Sequence, residues 1–214
     1  MLVSERMSRN PITVAEDTPI PEALKLMRDR KVRRLPVVNQ KGKLVGIISE
    51  KDLLYASPSP ATTLSIYEMQ YLLSKITVKE VMTTNVFTVC EDCPIEEAAR
   101  QMVDHKIGGV PVMRGDQLVG IITETDLFKT FLELLGGRAH GVRITLIVPE
   151  VKGILARLTD AIAKQGGNII SLGTFLGSDA GRRQITLKVA DVDQETLTTA
   201  IRDIAVEVVD VRVV

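Results

Sequence analysis

Tryptophan is absent, and aromatic residues make up only 3% of the 214 residues. That argues against the aromatic stacking surface on which single-stranded nucleic acid is held. An excess of either charge is also missing. With 27 basic and 27 acidic residues the formal net charge is zero, so no long-range pull toward nucleic acid or an anionic membrane is expected. No apolar run approaches the roughly 20 residues that span a bilayer. The opening Met1-Leu2-Val3-Ser4-Glu5-Arg6 lacks the apolar stretch of a signal peptide, which makes the cytoplasm the default location. Histidine is scarce too, with only His105 and His140. His140 lies in a glycine-rich stretch and reads as a solvated loop residue. There is no phosphate-cradling glycine loop ending in Lys-Ser/Thr, no nucleophile elbow and no cluster of metal ligands. Neither catalysis nor a resident cofactor or metal is expected.

The two cysteines form Cys90-x-x-Cys93. A zinc site needs four ligands, which this chain does not assemble around them. Cys93 precedes Pro94 as Thr18 precedes Pro19, so both residues are expected at a helix N-cap with proline at the first helical position. A thiol there has a lowered pKa and modest reactivity, which leaves a redox role open beside the structural one.

What the chain does have is a repeat. Thr88-Val89-Cys90-Glu91-Asp92-Cys93-Pro94-Ile95 echoes Thr13-Val14-Ala15-Glu16-Asp17-Thr18-Pro19-Ile20, a shift of 75 positions. Leu118-Val119-Gly120-Ile121-Ile122-Thr123-Glu124-Thr125-Asp126-Leu127 echoes Leu44-Val45-Gly46-Ile47-Ile48-Ser49-Glu50-Lys51-Asp52-Leu53 at a shift of 74. Two copies of one supersecondary unit are implied, stacked to bury a shared face. Each copy reads as strand, helix, strand, turn, strand, helix. In the first, Pro11 to Ala15 is a short strand, Pro19 to Arg30 a helix, Leu35 to Val38 and Leu44 to Ile48 strands, and a second helix follows Ser49. The second copy runs the same course from Val86 to Leu135. Between them Ser57 to Thr63 is a loop by composition, and Ser65-x-x-Glu68 opens a connecting helix, Ile66 to Lys75, through a capping box.

The repeat ends near residue 135, and Gly136 to Gly141 reads as a hinge. Beyond it the pattern is βαββαβ, a ferredoxin-like arrangement. Val142 to Val148 alternates as a strand, Ile154 to Ile162 gives a helical face, and Asn168 to Leu176 is a strand. A hairpin turn at Ser178 to Gly181 leads to a strand through Ile185 and Val189. Leu197 to Ile204 gives a second helical face, and Val206 to Val214 a last strand. The fold class is α+β, divided as 1–60, a linker helix 61–75, 76–135, the hinge 136–141, and 142–214.

Each copy places a hydroxyl residue and an aspartate three positions later where a strand turns into a helix. Exposed amides at such a turn favour an anion. A hydroxyl can donate to phosphate, and an ionised aspartate can accept from both hydroxyls of a ribose. The glycine before them (Gly46, Gly120) would let a ligand approach the backbone. The same spacing also makes a capping box in which the acid serves the helix, and both readings stand. A further asymmetry is Arg33-Arg34 in the first copy where the second has Gly108-Gly109. Paired guanidinium forks suit a di- or triphosphate, although a solvated basic helix end is the simpler reading. The two clefts should therefore not bind the same ligand equally.

The repeated unit resembles the cystathionine-β-synthase (CBS) domain over residues 1 to about 135. The resemblance rests on Leu35 to Val38 and Gly46 to Asp52, and on Val110 to Met113 and Gly120 to Asp126. It implies a paired module sensing an adenosine-containing ligand such as AMP, ADP, ATP or S-adenosylmethionine. The implied binding residues are Thr13, Arg33, Arg34, Ser49, Asp52, Thr88, Gly108, Thr123 and Asp126.

Residues 142–214 resemble the ACT domain, a regulatory module that often binds amino acids. Gly153, Leu155 and Asn168 fit that family's loop pattern, while Glu150 and Lys152 depart from its usual Asp and Pro. The resemblance implies an amino-acid site at a subunit interface around Glu150, Lys152, Gly153, Ile154, Asn168 and Ile169, or else a binding-silent dimerisation domain. The two-module layout is similar to stand-alone CBS–ACT proteins, including accessory proteins of acetoin utilisation. The expected protein is a non-enzymatic, homodimeric regulator with a partner enzyme. The alternative is a structural adaptor that binds that enzyme without nucleotide.

Overall fold

A computed structural model describes residues 1–56, 65–177 and 181–214. The composition-based loop at 57–63 and most of the hairpin turn at 178–181 lie outside the described residues. The chain forms two compact units, Met1–Leu127 and Phe128–Val214.

The first unit opens with a 3-10 turn, Val3–Glu5, and the short strand β1, Ser8–Arg9. The first copy follows as β2 (Val14–Ala15), α1 (Ile20–Arg30), β3 (Arg34–Val38), β4 (Leu44–Ser49) and α2 (Glu50–Tyr55). Two connecting helices come next, α3 (Ile66–Leu73) and α4 (Val78–Val81). The second copy is β5 (Val89–Cys90), α5 (Ile95–His105), β6 (Gly109–Arg114), β7 (Gln117–Thr123) and α6 (Glu124–Leu134). The boundary between the units falls within α6.

The helices form for the reason their spacing suggests. Ile20, Ala23 and Met27 recur at helical period and are buried, as are Ile95, Ala98 and Met102 in the second copy. They pack on Leu35, Val37 and Ile48 in one core and on Val110, Val112 and Ile122 in the other. The linker helix ends at Leu73 rather than Lys75. Its capping box forms as expected, with the Ser65 amide donating to Glu68 at 2.8 Å. Leu73 and Ile76 pack against the first core.

The helix starts differ from expectation. Pro19 and Pro94, not Thr18 and Cys93, are the N-caps, and neither makes a side-chain capping bond. Extended proline already suits this position, and the first helical amides find backbone acceptors elsewhere. The Ile20 amide donates to the Ile76 carbonyl (3.0 Å) and the Ile95 amide to the Met1 carbonyl (3.1 Å). Cys90 and Cys93 are joined as a disulfide with Cα atoms 5.2 Å apart, which replaces the free N-terminal thiol expected above.

Those backbone acceptors show that the two copies exchange their leading segments. β1 pairs antiparallel with β7, with Ser8 opposite Ile121 and Arg9 opposite Gly120. Val3 and Met7 belong to the core of the second copy. Reciprocally, Thr83 exchanges both backbone bonds with Ile47 (2.9 and 3.0 Å), and Val78, Val81 and Met82 join the core of the first copy. The division at 1–60 and 76–135 follows the sequence repeat, but each core draws residues from across it.

The second unit contains β8 (Val142–Pro149), α7 (Ile154–Lys164), β9 (Asn168–Leu176), β10 (Arg182–Ala190), α8 (Gln194–Ile201) and β11 (Glu207–Val213). The sheet order is β11-β8-β10-β9, antiparallel throughout, as a split βαββαβ unit requires. Alternate residues Ile144, Leu146 and Val148, and Ile185, Leu187 and Val189, are buried with Leu158, Ile162, Leu197 and Ile201. The expected hinge at 136–141 is tied down. Lys188, on β10, is buried and donates from Nζ to the carbonyls of Gly136 (2.8 Å) and Ala139 (2.9 Å). Within this unit the glycine-rich segment is docked on the sheet.

Candidate functional site

Two clefts of about 420 and 410 Å³ open in the first unit, and their walls correspond through the repeat. The first is lined by Ile47, Ser49 and Asp52 of the first copy and faces Thr83, Asn85 and Phe87 with Lys106, Ile107 and Gly108. The second is lined by Ile121, Thr123 and Asp126 of the second copy and faces Ser8, Asn10 and Ile12 with Lys31, Val32 and Arg33. Each cleft thus combines the strand-to-helix turn of one copy with the leading segment and helix C-terminus of the other. Lys31 and Lys106, at equivalent positions, both take a left-handed φ of 54° as they end α1 and α5.

The turn residues bind one another. The Ser49 amide and hydroxyl both donate to Asp52 Oδ2, at 2.8 and 2.7 Å, and the Asp52 amide donates back to Ser49 Oγ at 3.3 Å. The Thr123 amide and hydroxyl reach Asp126 Oδ2 at 3.0 and 2.7 Å. The capping box is therefore real. These side-chain bonds converge on one carboxylate oxygen, and an ionised carboxylate has about four acceptor sites. Further bonds from a polyhydroxyl ligand are chemically compatible with the cap.

The glycines before these turns serve another purpose than the one expected. A β-carbon on Gly46 would collide with the Met82 sulfur, and one on Gly120 with the Met7 sulfur. The exchanged segments fill the space that a ligand was expected to use.

Arg33 and Arg34 line both clefts. Arg33 is exposed and Arg34 half-buried. A β-carbon on Gly108 would fall within the Arg34 guanidinium, and one on Gly109 would lie 3.2 Å from Arg34 Cδ. The arginine pair of one copy therefore lies against the glycine pair of the other, and the asymmetry is a steric match. Burial pushes Arg34 below the ordinary guanidinium value. The Glu124 carboxylate opposes that shift, Arg33 adds to it, and Asp52 opposes it.

Of the residues expected in the clefts, Thr13 and Thr88 lie outside the lining, one position beyond Ile12 and Phe87. Sequence reasoning passed over Asn10 with Asn85, Lys31 with Lys106, and Phe87. The 75-position register links the members of the two pairs and would have exposed them. Phe87 stacks on His105 with ring centroids 3.7 Å apart and an interplanar angle of 13°.

In the second unit Glu150, Gly153 and Ile154 line a shallow pocket of about 250 Å³ with Thr174 and Arg183. Glu150 is ion-paired with Arg183. Gly153 caps α7 with φ 84°, a left-handed conformation that favours glycine. Lys152 is exposed and does not line the pocket, and Asn168 and Ile169 are not brought to it. Asn168 pairs with Ala190 at one end of β9, whereas Thr174 pairs with Ile185 nearer the other. Six strand residues separate them by about 20 Å. One copy of the chain does not unite the expected set.

Among the described residues no helix is long and apolar enough to cross a membrane, and no group of three or more candidate metal ligands occurs.

Two repeats clasped by exchanged segments, with twin clefts in the first unit, and a ferredoxin-like unit following in sequence define a paired-repeat module with a second α+β domain. The chain belongs to the CBS domain family, which it matches at residues 3–59 and 78–133, and residues 140–212 match the TTHA0829-like ACT domain. It is similar to uncharacterized protein MJ1404 of Methanocaldococcus jannaschii, at 33% identity over 162 residues. That match covers 73% of this chain and 38% of the relative, so the chain spans well under half of that protein. Among solved structures, a putative acetoin utilization protein (AcuB) from Vibrio cholerae superposes with a TM-score of 0.53 at 34% identity, over 64% of this chain and 95% of that one. The CBS domain pair of protein MJ0100, in complex with 5′-methylthioadenosine and S-adenosyl-L-methionine, gives 0.52 at 35% identity, over 65% and 98%. CBSX2 in complex with AMP gives 0.50 at 30% identity, over 61% and 96%.

Proposed function

We propose that this chain is a non-enzymatic regulatory protein whose paired CBS module binds adenosine-containing ligands, one in each cleft, and whose ACT unit dimerises it. The observation that carries this reading is the matched pair of clefts, each with a hydroxyl and an aspartate at a strand-to-helix turn facing lysine from the opposite copy. Aspartate accepts from ribose hydroxyls, and the cationic wall suits adenosines that carry phosphate. The adenosine ligands held by the CBS pairs of MJ0100 and CBSX2 support it. An amino acid at Glu150 and Gly153 is a second input, completed by Asn168 of another copy across a dimer. Acetoin utilisation is the process that the likeness to AcuB suggests.

The test is a thermal-shift titration with AMP, ADP, ATP and S-adenosylmethionine. A ligand that binds only the folded state adds about 2.7 kcal/mol at a hundredfold excess over Kd. Asp52→Ala and Asp126→Ala should each reduce the shift. No shift with any of the four at millimolar concentration would transfer the case to the adaptor reading. One observation favours that alternative: Asp52 and Asp126 each accept from the hydroxyl residue at the start of their own helix, a service to the fold that needs no nucleotide.

A further inference from the structure

The repeat supplies two clefts but only one arginine pair. Within that pair the side chains differ. Arg33 is exposed, and its carbonyl accepts from the Glu50 amide at 2.9 Å. Arg34 stands opposite Ser49 in the β3–β4 ladder, yet its side chain crosses to lie on Gly108 and Gly109. Gly109 in turn stands opposite Thr123. The Arg34 guanidinium thus sits between the two hydroxyl–aspartate turns. The carboxylates whose fields reach it come from both copies, Glu124 at the start of α6 and Asp52 at the start of α2. The position equivalent to Arg34 is Gly109, so no second arginine performs the same task from the other side. A guanidinium presents a rigid planar fork that grips one phosphate bidentately. It does not do so for two phosphates in different clefts at once.

We infer that Arg34 is a counter-charge held in common by the two clefts, so that phosphate-bearing ligands in the two clefts oppose each other's binding. The inference rests on the reading of the clefts as adenosine sites. The opposition is specific to anionic ligands, because an uncharged adenosine makes no demand on the guanidinium. It is also reciprocal: each AMP weakens the other by the same factor.

Calorimetric titration of the full chain with AMP and with adenosine tests it. Ile47→Trp and Ile121→Trp each plug one cleft without altering charge. With the tighter cleft plugged, AMP should bind the remaining cleft about fivefold or more tightly than the second AMP binds the wild type. Where the wild type takes up only one AMP, binding should appear at the second cleft. Adenosine should show no such gain. Arg34→Gly, which installs the residue found at the equivalent position, should abolish the gain for AMP, whereas Arg33→Ala should weaken AMP and leave the gain intact. If Arg34→Gly fails to fold, the AMP and adenosine comparison in the plugged variants decides alone. AMP affinities indifferent to the plug, or an equal gain for adenosine, would overturn the sharing while leaving the adenosine sites standing. Binding of neither compound in any variant removes the sites themselves, and the shared arginine with them.

Discussion

Met7 lies over Gly120, and its sulfur fills the volume that a β-carbon on that residue would need. Met82 and Gly46 repeat the relationship in the other copy. Neither glycine has a positive φ, so the constraint is space and not backbone conformation. Gly120→Ala and Gly46→Ala should each cost about 1–3 kcal/mol through overpacking. Pairing Gly120→Ala with Met7→Ala should cost less than the sum of the single changes, since the two residues contest one volume. Urea unfolding of the four proteins measures this, and strict additivity would show that the contact is not the cause.

The exchanged segment is needed by the second copy more than by the first. Val3 is fully buried there, and Met1 supplies the carbonyl that accepts from the first amide of α5. Removing residues 1–9 should strip hydrogen-exchange protection from β7 and the start of α5 while sparing β3 and β4. Equal loss in both copies would contradict this placement.

Lys188 Nζ donates to the carbonyls of Gly136 and Ala139, and the Gly136 carbonyl also accepts from the Ala139 amide at 3.0 Å. Lys188→Met keeps much of the bulk and removes the donors. It should destabilise the second unit by about 1–3 kcal/mol, because the Gly136 carbonyl loses one of its two donors and the half-buried Ala139 carbonyl loses the lysine. Exchange of the 136–141 amides should rise with it, and unchanged exchange there would show that the lysine does not anchor the segment.

Acid should weaken the fold at its helix starts. The backbone amide and hydroxyl of Thr196 hold Asp193 below the usual carboxylate range, and those of Thr77 do the same for Glu80. A carboxylate depressed in the folded state stabilises it above the unfolded value and loses that contribution as pH falls through the folded value. The window therefore lies below about pH 4. The urea midpoint should drop between pH 6 and pH 3, and by a smaller amount in Asp193→Asn combined with Glu80→Gln. An identical drop in that double variant would place the acid sensitivity elsewhere.

The repeat and the ferredoxin-like order were legible because long periodic segments carry their own evidence. Ala23, Leu24 and Met27 announce a helical face, of which Ala23 and Met27 are buried and Leu24 half-buried, and Ile185, Leu187 and Val189 announce a buried strand face. The exchange of leading segments was not legible. Ser8 and Arg9 form a two-residue strand with both side chains exposed, which has no periodicity to read, and its partner is chosen by tertiary contacts with Val3 and Met7. The hydroxyl–aspartate half of each cleft could be found from local chemistry. The opposing half is supplied by the other copy, which the pattern of one copy does not announce; Thr13 and Thr88, expected from the family resemblance, lie outside the lining, and Lys31 and Lys106 line it. Lys188 escaped notice because alternation puts it on the sheet face away from the core. Only the docked loop makes that face a buried one.

The exchanged segments also bear on how such a chain can be divided or inherited. A half cut at the middle of the repeat would carry a core with one leading segment missing and one to give away. Two identical halves would satisfy each other, each lending what the other lacks. A single-copy ancestor could thus have lived as a pair of separate chains, with tandem duplication only fastening together an arrangement that already existed. Once fastened, the two equivalent positions were free to diverge, and arginine in one copy with glycine in the other is a difference that a pair of identical chains could not have held.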